Sequence, residues 1–220
     1  MSVQMLSGLL ILNELYRFVR EHRTEAARAM QINGSSPLGD QYSEICDKIV
    51  ATVPITRGLY LWGFYNRNGF WTNIYIGKAS LKKTASLRNR LRKELTSERA
   101  CIWREVLSTE ELEKTCEEIH PKMWPKYTHH WHRAFEKRGT THIAWIALPE
   151  TNEAKIEPIE NDLIEAMNPT GNRKRTQPPE HFRDDTKLVF GLFREVINAK
   201  AHRATRFPLE FHRRFWKQLG

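Results

Sequence analysis

Cysteine is scarce in this chain: three in 220 residues, Cys46, Cys101 and Cys116, with no CxxC spacing. An odd and scattered set excludes a disulfide framework and points to a reducing, cytoplasmic setting. Long apolar runs are missing too. No stretch reaches the roughly 18 residues that a membrane-crossing helix needs, so no membrane partner is expected. The apolar patch Leu9-Leu10-Ile11-Leu12 has no basic start and is followed at once by Asn13-Glu14, which argues against a signal peptide. Repeats and long low-complexity tracts are absent. Acidic residues are missing from one block in particular. Residues 78–93 carry Lys78, Lys82, Lys83, Arg88, Arg90, Arg92 and Lys93 and no Asp or Glu. A second basic block runs from Gly171 to the end, with twelve Lys/Arg against five Asp/Glu, and the acidic stretch 98–118 lies between the two. Two separate basic blocks in a chain of net charge +9 make a polyphosphate such as DNA a candidate partner. The plain alternative is a basic, soluble protein.

What is present begins with residues 58–77, GLYLWGFYNRNGFWTNIYIG. Two runs rich in aromatic and β-branched residues flank Asn66-Arg67-Asn68-Gly69, the pattern of a β-hairpin with a four-residue connection. Each run carries a Tyr near a Gly, and alternation along a strand can place Tyr60 and Tyr75 on one face. Upstream, residues 3–31 read as one amphipathic helix and residues 41–51 as a second. Downstream, a helix from about Thr84 to Leu95 sets Leu87, Leu91 and Leu95 in one stripe and Arg88, Arg90, Arg92 and Lys93 on its other faces. Apolar on one side and basic on the rest, it suits a phosphate backbone.

Residues 98–138 read as a helical insertion, with a capping box at Ser108–Glu111. The histidines His129, His130 and His132 follow, but with Cys116 and His120 they fit no familiar zinc spacing, so a helix surface or a patch near nucleic acid is the better reading. Residues 141–148 form a strand with Ile143, Trp145 and Ala147 on one face. Thr151 or Asn152 can cap a helix to about Met167, and Pro158 suits a first turn, which moves the regular start toward Glu157. Glu160 stands beside the buried stripe of Ile159, Leu163 and Met167, at the edge of an apolar face. By position alone, a surface salt bridge is its commoner use. Two further helices are expected at 184–200 and 208–219, the last with an aromatic stripe from Phe207 to Trp216 that suits core packing better than base stacking.

Set in order, Gly58-Leu59-Tyr60, Tyr75-Ile76-Gly77-Lys78, Asn89-Arg90-Leu91, Glu160-Asn161-Asp162-Leu163-Ile164 and Pro169 with Asn172 three residues on resemble the GIY-YIG nuclease family. The run Tyr75–Ala79 followed by Leu87–Leu91 is similar to the nuclease domain of the bacterial excision-repair endonuclease subunit. The resemblance covers about residues 57–172. It implies an α+β fold, a small three-stranded antiparallel sheet flanked by helices, with helical N-terminal, inserted and C-terminal additions. The implied organisation is a helical region at 1–54, a nuclease core at 55–175 with its insertion at 98–138, and a basic helical region at 176–220.

The resemblance also implies roles. Tyr60 would be the general base in phenolate form, although an unperturbed phenol titrates near pH 10 and needs help from Lys78, a nearby cation or a metal-bound water. Tyr75 would contact the phosphate or the water. Arg90 would bind the scissile phosphate. Glu160 would hold Mg²⁺ or Mn²⁺, and Asn172 would support the site through hydrogen bonds. Many members carry His or Tyr four residues after the arginine, where this chain has Glu94. A carboxylate there is no cation and would repel phosphate if it faced the cleft. Either another residue takes that part, with the histidines at 129–132 as candidates, or this chain works without it. The implied function is a metal-dependent endonuclease acting on DNA. The alternative is a nucleic-acid-binding module that keeps the fold without turnover.

Overall fold

The computed structural model describes residues 6–22, 37–80, 86–96, 140–172 and 181–200. The expected insertion at 98–138 with its histidines, most of the basic linker after Asn172, and the helix at 208–219 lie outside the described residues. Among those described, four strands and five helices follow in the order β1 (Ser7–Ile11), α1 (Asn13–Glu21), α2 (Pro37–Val50), β2 (Gly58–Tyr65), β3 (Trp71–Ala79), α3 (Leu87–Thr96), β4 (His142–Ala147), α4 (Glu153–Met167) and α5 (Asp184–Lys200). The class is α+β, as expected. The sheet has four antiparallel strands in the order β1-β4-β2-β3, not three.

The additional strand is the correction to the expected helix at 3–31. Ser7–Ile11 pairs with β4 from Ser7 opposite Ile146 to Ile11 opposite His142. Leu10 joins the core on one side of the sheet and Leu9 packs toward the other, a period of two that a short, uniformly apolar run conceals. The N-terminal region is therefore mixed, and its helix starts only at Asn13.

Alternation along the strands separates two cores. Tyr60, Trp62, Ile143, Trp145 and Ala147 face α1, α2 and α3, whose Leu15, Val19, Cys46, Val50, Leu87, Leu91 and Leu95 cover them. Leu59, Leu61, Ile76, Ala144 and Ile146 face α4 and α5, with Ile159, Leu163, Met167, Phe190 and Phe193 against them. The sheet is thus the middle of three layers. Helix α5 runs where expected and closes one face of the core. Tyr65, at the end of β2, donates its hydroxyl to the Ile197 carbonyl of α5 at 2.6 Å.

Burial pushes the Tyr65 phenol up to about 12 from its ordinary 10.0. The unfolded chain releases this proton near pH 10 while the folded one retains it, so stability declines as pH rises from 10 toward 12. Tyr65→Phe should lessen that decline, measured as melting temperature against pH. An unchanged alkaline slope in the variant would contradict this assignment.

Helix α4 begins at Glu153, earlier than the start suggested by Pro158. Asn152 accepts the Lys155 backbone N–H at 3.0 Å and fixes the first turn, and Ile156 is already buried there. Pro158 then lies inside the helix, which continues past it because the apolar stripe on both sides is held against the sheet.

Candidate active site

The hairpin positions the site, and two one-residue irregularities set its register. Five residues, not four, connect β2 to β3. The Asn66 side chain accepts the N–H groups of Asn68 and Phe70 at 2.9 and 3.0 Å, and Gly69 supplies the positive φ of 79° that closes the turn. A β-bulge then follows, since Trp62 faces Tyr75 while Gly63 faces Asn73 and leaves Ile74 unmatched. The bulge reverses the parity of β3. Trp71 and Asn73 on one side of it, and Ile76 and Lys78 on the other, all point toward α4, while Tyr75 points toward α3. The Tyr60 and Tyr75 rings share that face, 6.5 Å apart.

The same shift sets Gly77, not Tyr75, directly opposite Tyr60. A Cβ on Gly77 would collide with Cζ and Oη of Tyr60, so the phenol lies over bare backbone. On β4, opposite Tyr60 on its other side, Trp145 lies over Gly8 of β1 in the same manner. Two large rings side by side in one row thus each lean over a glycine on an outer strand.

Above the hairpin, α3 delivers Arg90 and Glu94 on one face, four residues apart. Glu94 is fully buried. Its Oε1 accepts the Tyr60 hydroxyl at 2.5 Å and pairs with Arg90 Nη2 at 2.9 Å, and its Oε2 accepts Trp62 Nε1 at 2.8 Å. Arg90 Nε donates to the Tyr60 oxygen at 3.2 Å, closing a triangle. Glu94 therefore does not face an open cleft, and its charge is compensated locally. Burial first, then the adjacent Glu94 carboxylate and Tyr75, push the Tyr60 phenol well above the ordinary tyrosine value, and Arg90 only partly opposes them. Against the phenolate expected of Tyr60, its hydroxyl here is a buried donor to Glu94. Lys78, expected as its helper, points to the other side of the sheet.

On that other side, Lys78 Nζ sits 3.2 Å from Glu160 Oε2 and 3.3 Å from Glu157 Oε2, both carboxylates coming from α4. Burial raises the Glu160 carboxyl above the usual range, with the charge and hydrogen bond of Lys78 pulling the other way. Glu157 adds to the rise, and Arg90 offsets part of it. β3 is an edge strand of the sheet. The outer edge of β3 is covered by the segment after α4. Asn168, at a left-handed φ of 46°, ends the helix. Gly171 N–H then bonds the Ile74 carbonyl, and the Asn172 amide both accepts from Ile76 N–H and donates to Ile76 C=O, each at 2.8 Å. Asn172 thus fixes the backbone of Tyr75-Ile76-Gly77 as a paired strand would.

Tyr60, Tyr75, Lys78, Arg90, Glu160 and Asn172 therefore all gather on β3 or its immediate neighbours. Two participants escaped the sequence reading. Trp62 was signalled by lying two residues from Tyr60 on the same strand face, and Glu157 by lying three residues before Glu160 on a helix. The basic face of α3 is less available than its composition suggests: Arg88 Nε donates to the Val53 carbonyl at 2.6 Å, and Arg92 pairs with Asp47. Among the described residues, no group of three or more His, Cys, Asp or Glu forms a ready metal cage. A hard divalent cation bound beside a phosphate commonly takes only one or two protein carboxylates, and Glu160 with Glu157 nearby offers that donor set. Compared with family models, curated proteins and solved structures, the chain shows no significant match. Among the described residues no helix is long and apolar enough to cross a membrane.

Proposed function

We propose that the protein is a metal-dependent endonuclease that hydrolyses DNA phosphodiester bonds at the edge of the β2–β3 hairpin. The observation that carries this reading is that the hairpin gathers Arg90 of α3, bonded to Tyr60 on β2, and Lys78 on β3, paired with the partly buried Glu160 of α4. Arg90 and Lys78 supply positive charge on either side of β3, where a phosphate and the charge that builds on it during attack would be stabilised. Glu160 would hold Mg²⁺ or Mn²⁺, and Lys78, its partner at 3.2 Å, would then turn toward the phosphate. A cation held there supplies Lewis-acid polarisation of a phosphate oxygen and neutralises the leaving oxygen. Tyr75, the half-buried phenol of the pair, can orient the attacking water, while the Tyr60 proton stays on the bond to Glu94.

Plasmid nicking with Mg²⁺ tests the reading. Arg90→Ala and Glu160→Ala should each slow cleavage by about 10²-fold or more, the scale on which single charge-stabilising groups act. Equal rates for both variants and the wild type would sink it. The burial of Tyr60 and its bond to Glu94 favour a second reading, a DNA-binding module of the same design without turnover. In the same assay that reading predicts salt-sensitive binding and no metal-dependent product.

A further inference from the structure

The nuclease reading leaves Glu94 without a part, yet Glu94 is the most completely enclosed charge near the site. None of its surface is exposed, while the Arg90 side chain keeps 30% of its own. The bonds of Glu94 draw together two elements. Two donors, Tyr60 and Trp62, come from alternate positions on β2, and the third, Arg90, comes from one turn earlier on α3. Arg90 uses Nε toward Tyr60 and one Nη toward Glu94, which fixes the plane of its guanidinium from behind. Leu87, Leu91 and Leu95 seat the helix that carries both residues.

We propose that Glu94 is a positioning residue: its carboxylate locks the Arg90 guanidinium and the Tyr60 phenol into one rigid unit that presents Arg90 to a substrate phosphate in a preset orientation. The inference rests on the nuclease reading for the identity of that phosphate. Its chemistry is specific to a carboxylate. Tyr60, Trp62 and Arg90 all donate to its two oxygens, and a negative charge balances the arginine it aims. A glutamine of the same shape offers one acceptor oxygen, no charge, and an amide N–H₂ that must face one of the donors. In Glu94→Gln the guanidinium keeps its charge and loses its orientation. A phosphate would still be attracted, but it would be met by a mobile fork, and a misplacement of about 1 Å costs about 10²-fold in rate.

The test pairs Glu94→Gln with Tyr60→Phe, which deletes only the phenolic corner, and uses two readouts. The first is the Arg90 Nε–H resonance in the ¹⁵N spectrum of the intact protein, identified by its loss in Arg90→Lys. It should be sharp and slow to exchange in the wild type, and averaged with the exposed arginines in Glu94→Gln. The second is the separation of binding from turnover. Glu94→Gln should bind duplex DNA in the absence of divalent metal no more weakly than the wild type, while kcat falls about 10²-fold, and Tyr60→Phe should fall between the two. A sharp Arg90 resonance that survives in Glu94→Gln, wild-type turnover in that variant, or a loss of binding that matches the loss of rate would each overturn the proposal. Failure of the nuclease reading looks different: the wild type itself forms no product, and the resonance alone then decides whether Glu94 holds Arg90.

Discussion

Glu94→Ala is expected to destabilise the protein by about 3–5 kcal/mol, the range for removing one partner of a buried ion pair. The cost comes from what is left behind more than from what is lost. Tyr60 and Trp62 are buried, and their O–H and N–H donors would each face an empty space that Glu94 now fills. Arg90 would lose its counter-charge while still tied to the Tyr60 oxygen. With a typical domain stability of about 5–15 kcal/mol, this one truncation removes a large fraction of the total. The measurement is the urea midpoint at constant m-value. Arg92→Ala is the control. Arg92 also pairs with an acid, Asp47, but both are exposed, and such pairs contribute about 0–1 kcal/mol. If the two variants shift the midpoint equally, Glu94 is not the buried hub described above.

Gly77→Ala should be nearly as damaging, by about 3 kcal/mol, at the upper end of the cost of overpacking a closed site. The added methyl group would fall on the end of the Tyr60 ring, which cannot yield easily. Its hydroxyl is held at 2.5 Å by Glu94, and Arg90 donates to it from the open side. The ring must therefore break from Glu94, so the variant should lose cleavage as well as stability. A double-mutant cycle isolates the cause. In a Tyr60→Leu background the ring tip is gone, and Gly77→Ala should become close to neutral. Strict additivity of the two changes would show that the glycine is needed for some other reason.

The clash at Gly77 depends on a register that the sequence does not display. Tyr60, Tyr75 and the glycines beside them are legible as a hairpin, because aromatic and β-branched runs around Asn66–Gly69 leave few other folds for that stretch. A four-residue turn with regular pairing would set Tyr60 opposite Tyr75. The five-residue connection and the unmatched Ile74 each move the pairing by one residue, and together they set Tyr60 over Gly77. Periodicity cannot reveal a bulge, because a bulge is the point where periodicity fails.

The same division holds elsewhere. Helix α5, the faces of β4 and the Asn152 cap at the start of α4 follow from local patterns of apolar and capping residues. The strand at Ser7–Ile11 does not, because four apolar residues in a row suit a helix or a strand equally, and pairing with β4 decides. The positions of Arg90, Lys78, Glu160 and Asn172 could be singled out only through the resemblance of their order to the motifs of a nuclease family. Their chemistry could not be, since charge on a helix does not say which partner it meets. Arg88 turned to the Val53 carbonyl, Arg92 to Asp47 at the surface, and Lys78 to α4.

The hairpin and most of the element order, and with them the α+β class, follow from the sequence alone, because each is a property of neighbours along the chain. Packing of the layers buries Glu94 beneath Tyr60 and Trp62, makes the Tyr60 hydroxyl its donor, and brings Asn172 to the edge of β3. Those are contacts across 34, 32 and 96 residues of chain, and the desolvation that sets their character exists only once the layers have closed.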